Sequence, residues 1–122
     1  MTVIGLDHVQ LAAPPGCERE ARRFYGELLG LAEIDKPGGL AARGGAWFRC
    51  GAQQVHVGVD AEFAAARKAH PALRVESREA LEALASRLVA AGVPVRWDEE
   101  IPDVRRFFAA DPWGNRLEFV AY

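Results

Sequence analysis

A repeat with a fixed stride constrains this chain of 122 residues more than any other feature. His8 and His70, Gly30 and Gly92, Gly51-Ala52 and Trp113-Gly114, and His56 and Glu118 are each 62 positions apart. One gap-free offset therefore joins the expected first strands, helix ends, last turns and last strands of two halves. A repeat of this kind means one supersecondary unit used twice. A sheet with a helix on one face leaves its other face bare, and a second copy can cover it across a pseudo-twofold axis, enclosing a cavity.

Each half reads strand, helix, three strands. In the first, Val3 to Ala12 alternates with period two, Cys17 to Leu29 follows a helical period, and Gly30 closes the helix. Leu31 to Ile34, Leu40 to Arg43, Ala46 to Cys50 and Gln53 to Val59 are short segments that together read as three strands of an antiparallel meander, the last two segments being the clearest and joined by a tight turn. Ala61 to Lys68 is an Ala-rich linker with room for one or two helical turns. In the second half, His70 to Val75, Val93 to Trp97, Arg105 to Ala109 and Asn115 to Ala121 read as strands. Ser77 caps a helix over Arg78 to Ala91. The expected fold is α+β: two βαβββ modules, residues 3–60 and 69–122, whose mixed sheets curve around a central cavity.

Composition removes several classes. The formal charge is -2, with 50% hydrophobic and 26% charged residues, so there is no general drive toward nucleic acid or an anionic membrane. No run approaches a membrane span, and no basic region precedes an apolar run at the N-terminus. Cys17 and Cys50 lack metal or redox spacing and read as reduced thiols in a cytoplasmic protein.

Strand parity selects the chemistry. In Gln54-Val55-His56-Val57-Gly58-Val59 the valines share the packed face, which turns His56 and Gln54 to the other side. Alternation likewise turns His8, Gln10, His70, Arg74 and Glu118 away from the helices. All three histidines and one glutamate thus occupy equivalent strands on the cavity side. Imidazole nitrogen and carboxylate oxygen are ordinary ligands for Zn, Ni, Fe, Mn or Co. Gln10 and Gln54 are candidate substrate-binding polar groups, and Arg74 is a candidate for two-point binding of a substrate carboxylate or phosphate. Arg43 and Arg49 are weaker candidates. One of Arg105 and Arg106 must face inward, and alternation alone leaves open which. Trp47, Trp97, Phe107 and Phe108 offer aromatic wall or plain core.

Asp7-His8-Val9-Gln10-Leu11, Phe24-Tyr25-Gly26-Glu27-Leu28-Leu29-Gly30-Leu31, His70-Pro71-Ala72-Leu73-Arg74-Val75 and Asp111-Pro112-Trp113-Gly114-Asn115-Arg116-Leu117-Glu118-Phe119 carry a resemblance. Together with the strands between, they resemble the vicinal oxygen chelate superfamily of glyoxalase I, extradiol dioxygenases, and fosfomycin and bleomycin resistance proteins. The resemblance implies one divalent ion held by His8, His56, His70 and Glu118, with Glu118 also moving a proton. It implies chelation of a small oxygen-rich substrate, stabilisation of an enolate-like intermediate, and a homodimer. A dioxygenase would use His8, His70 and Glu118 alone; a resistance-type binding protein would need no metal. The chain departs from the family at Trp113, where a small or acidic residue is common, and at Pro71, directly after His70.

Overall fold

The computed structural model describes residues 2–122. They divide into two compact units, one ending at Ala64 and the other beginning at Ala65. Each contains a four-stranded mixed sheet and a helix in the same connectivity, and the fold is α+β.

In the first unit the sheet comprises β1 (His8–Ala13), β2 (Glu33–Ile34), β3 (Ala46–Cys50) and β4 (Gln53–Val59), in the order β1-β4-β3-β2. The edge strand β1 runs parallel to β4, while the other neighbours are antiparallel. Leu11, Phe48, Val55 and Val57 are buried on one face with Phe24 and Tyr25 of the helix. The helix begins as α1 (Glu18–Ala21) and continues as a π-helix over Arg22–Leu28. The sequence predicts an α-helix throughout. The wider turn lets the adjacent Phe24 and Tyr25 both reach the core, where they meet edge to face at 5.0 Å.

In the second unit β5 (Ala72–Arg74), β6 (Arg96–Asp98), β7 (Arg105–Ala110) and β8 (Arg116–Ala121) form the order β5-β8-β7-β6, with β5 parallel to β8. Leu81, Leu84, Ala85 and Leu88 of α2 (Arg78–Ala90) are buried, as are Phe107, Leu117 and Phe119 on the sheet. The Ser77 hydroxyl accepts from Ala80 N at 3.1 Å and caps α2. The helix closes at Gly92, whose φ of 84° suits glycine.

The repeat is visible in the registers. Gln10 pairs with His56, and Ala72 with Glu118, so the 62-residue stride holds across both parallel pairs. It slips by one on the neighbouring strand: Trp47 pairs with His56, but Phe108, 61 positions on, pairs with Glu118. The reason is the turn. Gly51 and Ala52 join β3 to β4, whereas Asp111 to Asn115 join β7 to β8. The Asp111 carboxylate accepts from Trp113 N and Asn115 N, and that longer turn absorbs the extra residue.

Three local expectations are corrected. Leu40 to Arg43 is no strand; Gly38–Arg43 forms a 3-10 helix, in keeping with a segment lacking β-branched residues. The first strand begins at His8 rather than Val3. Ala61 to Lys68 forms no helix, because its backbone is engaged with β8: Ala66 N donates to Asn115 Oδ1, and Arg116 N donates to Ala66 O, both at 2.9 Å.

Candidate metal centre

The four residues singled out in the sequence stand as two pairs, one in each unit. His70 lies two residues ahead of β5, because Pro71 has no N–H for a ladder bond there. Its Nδ1 is 2.9 Å from the carbonyl of Lys68. A carbonyl only accepts, so Nδ1 carries the proton and Nε2 presents a lone pair in the neutral ring. That Nε2 is 3.1 Å from Glu118 Oε1. Glu118 is delivered by β8, whose Leu117 and Phe119 are locked in the core. Two lone-pair bearers facing one another at this distance call for a cation between them, a proton or a metal ion. Adjacent ligands on an ion with ~2.1 Å bonds stand about 3 Å apart. The donor chemistry of the pair therefore fits a divalent ion.

In the first unit His8 has the same polarity. Its Nδ1 donates to Asp7 Oδ2 at 2.9 Å, which leaves Nε2 free. His56 differs. Its ring is buried between Trp47, stacked at 3.8 Å and 3°, and His8, stacked at 4.2 Å and 19°. Its Nε2 donates to Gln54 Oε1 at 2.8 Å. Burial, and secondarily the charge of His8, lowers the His56 pKa, so the ring favours its neutral form. Imidazole lone pairs lie in the ring plane. Two planes only 19° apart with centroids 4.2 Å apart do not meet within ~2.1 Å of both nitrogens. His8 and His56 are thus brought together as a stack. Among the described residues no three His, Cys, Asp or Glu side chains gather closely enough to hold an ion.

The other candidates are placed as follows. Gln10 lies across Gly58, its Nε2 2.6 Å from where a Cβ at Gly58 would stand. Arg74 is exposed, with its guanidinium 4.9 Å from the Tyr122 ring. Arg43 and Arg49 are exposed. Of Arg105 and Arg106, it is Arg106 that shares the Glu118 face. Arg106 donates to Glu118 Oε2 at 3.3 Å and to Asp98 Oδ1 at 2.9 Å. Arg105 turns to the helix face, meeting Glu82 and the Trp97 ring. Asp98 is held below the usual carboxylate range by the Glu100 amide first and Arg106 second. The sequence did carry a signal for this network: Arg96, Asp98, Arg106 and Phe108 share the parity that puts Glu118 opposite the core. Strand boundaries uncertain by one residue hid it.

The model of the glyoxalase/bleomycin resistance protein/dioxygenase superfamily matches residues 5–119. The chain belongs to this superfamily. Among solved structures, this superfamily member is similar to a Bacillus anthracis protein assigned to the glyoxalase family, at 48% identity and a TM-score of 0.93, covering 99% of this chain and 97% of that one. Two more distant structures share the fold. A lactoylglutathione lyase from Agrobacterium tumefaciens has 19% identity and a TM-score of 0.77, covering 99% and 96% of the two chains. A fosfomycin resistance protein from Listeria monocytogenes has 16% identity and a TM-score of 0.79, covering 99% and 95%. No curated protein matched the chain. No helix among the described residues is long and apolar enough to cross a membrane.

Proposed function

We propose that this superfamily member is a metal-dependent lyase or isomerase of the glyoxalase type, a cytoplasmic homodimer acting on a small oxygen-rich anionic substrate. The observation that carries the reading is the His70–Glu118 pair. It places an oriented imidazole nitrogen and a carboxylate oxygen 3.1 Å apart, with the second ring nitrogen tied to the backbone. His8, oriented by Asp7, is the third ligand. His56 is the fourth, and its ring must turn out of the Trp47–His8 stack to serve.

A divalent ion bound there supplies Lewis-acid polarisation of the substrate's oxygens. Glu118 is the group that takes and returns a proton. Its Oε2 is held by Arg106, and this contact sets the carboxylate's orientation while Oε1 faces His70. Phe108, opposite Glu118 in the register and 5.5 Å from the His70 ring, gives this pair an apolar flank, which limits the water competing for the substrate.

A second reading draws support from the His56 stack. A set of His8, His70 and Glu118 with His56 held aside is the ligand pattern of an extradiol-type Fe(II) dioxygenase. Elemental analysis of never-chelated protein, with anomalous scattering from the bound ion, tests both readings. Ni, Zn, Mn or Co on four side chains supports the lyase or isomerase. Iron on three, with oxygen uptake in the presence of a catechol, supports the dioxygenase. Failure to take up any of these ions, with a small molecule still bound after chelator treatment, would leave the binding-protein reading in their place.

A further inference from the structure

The second unit carries more positive charge on the Glu118 face than its ion pairs use. Three guanidinium groups surround the buried Phe108 ring: Arg116 at 4.3 Å, Arg96 at 4.8 Å and Arg106 at 5.1 Å from its centroid. Arg106 is committed to Asp98 and Glu118. Arg96 has only a long contact, 3.8 Å, to the Asp98 already engaged by Arg106. Arg116 has no carboxylate within ion-pair distance among the described residues. A cavity of about 350 Å³ opens beside them. Arg67, Arg96 and Arg116 line it with Phe108, and no acidic residue does.

Arg116 is half-buried and fixed by its strand, while Arg67 and Arg96 reach the cavity from exposed positions. Arg116 is delivered by β8 two residues before Glu118, on the same face and about 7 Å along the strand. Phe108 stands opposite Glu118 in the register and stacks with the arginine above it. Arg67 follows Ala66, whose N–H and C=O are both bonded to the start of β8, so the linker is pinned beside Arg116. Asn115, the acceptor in that pin, is buried and fixed by Asp111. Guanidinium groups brought together with less counter-charge than their own repel one another, and an oxyanion relieves this through charge-assisted hydrogen bonds.

We propose that Arg67, Arg96 and Arg116, over Phe108, form an oxyanion-binding subsite for a phosphate or carboxylate group. The proposal deepens the reading above and rests on it for the claim that this group belongs to the substrate: an anionic end held by the arginines places the molecule's other end toward Glu118. Three guanidiniums favour a phosphoryl dianion over a carboxylate.

The test is a titration of the full chain with inorganic phosphate, and separately with acetate, at constant ionic strength. Arginine Nε–H resonances are followed by NMR, with and without chelator. The expected result is saturable shifts at Arg67, Arg96 and Arg116, with phosphate about tenfold tighter than acetate. Arg116→Gln weakens phosphate at least about tenfold, and Arg67→Gln, on an exposed loop where folding is not at stake, about threefold or more. Acetate tighter than phosphate upholds the subsite and assigns it to carboxylates. Unsaturable shifts spread equally over exposed arginines such as Arg19 and Arg43 would overturn it, as would wild-type phosphate binding by both variants. Saturable phosphate binding in a protein that takes up no metal sustains the subsite and removes the metal centre; metal uptake without saturable anion binding does the reverse.

Discussion

Nε2 of His70 faces Oε1 of Glu118 at 3.1 Å while the carbonyl of Lys68 holds the proton of the other ring nitrogen. The backbone thereby decides which nitrogen is offered before any ion arrives. His70→Ala or Glu118→Ala should lower divalent-ion affinity by about 100-fold or more. His56→Ala should lower it by less than about tenfold, because that ring starts from a stack and a Gln54 hydrogen bond. Competition titration with a metal-sensitive dye measures all three. A His56→Ala protein as metal-poor as Glu118→Ala would show that the ring leaves its stack at little cost.

Arg106 is the cation shared by Asp98 and Glu118, and all three side chains are largely buried. Arg106→Gln leaves two carboxylates facing each other without it. The melting temperature should fall, and the fall should shrink in mild acid, where carboxylates are neutralised. Asp98 gives the sign. Its folded pKa is lowered, so its contribution is present above the unfolded carboxylate range and is lost as pH falls through the folded value. Thermal melts of Arg106→Gln from neutral pH down to the carboxylate range would show it; a pH-independent deficit would point to packing instead.

Glu18 couples the first helix to the loop before β3. Its Oε2 accepts from Gly45 N at 2.6 Å, and this bond is the main reason its pKa is lowered. The bond should contribute about 1 kcal/mol at neutral pH. That contribution should vanish as pH drops below the folded pKa, since the protonated carboxyl accepts less strongly. Urea denaturation of Glu18→Gln against wild type at several pH values tests this. Parallel pH dependences of the two proteins would count against it.

Two glycines with positive φ should respond very differently to alanine. At Gly45, φ is 84° and a Cβ would stand 2.2 Å from Val57 O, a backbone atom that cannot move aside. Gly45→Ala should cost about 3 kcal/mol or more, or prevent folding. At Gly51, φ is 59° with nothing within 4 Å, so the cost should be about 1 kcal/mol of backbone strain. Chemical denaturation of both variants settles the comparison.

The sequence made the duplicated topology, the strand parity of His56 and Glu118, and both helix ends legible, whereas His70, read as a strand residue, stands ahead of β5. Those features depend on short-range periodicity and on where glycine is tolerated. It misjudged Leu40 to Arg43, where apolar residues between glycines suit a strand or a tight helix equally. It left Arg105 and Arg106 undecided, because a one-residue shift in a strand boundary exchanges the two faces. The His56 stack was not readable, since ring orientation depends on Trp47 and His8, which reach it from neighbouring strands.

Chain order alone determined that two like units would each turn a polar sheet face away from a helix, with His56 on one and Glu118 on the other, because alternation and stride are properties of the covalent sequence. Tertiary structure alone decided the rest. Lys68 fixes the proton of His70, Arg106 rather than Arg105 reaches Glu118, and the linker is pinned beside Arg116. Each of these depends on groups distant in sequence meeting within hydrogen-bond reach, and only strand register and packing set that distance.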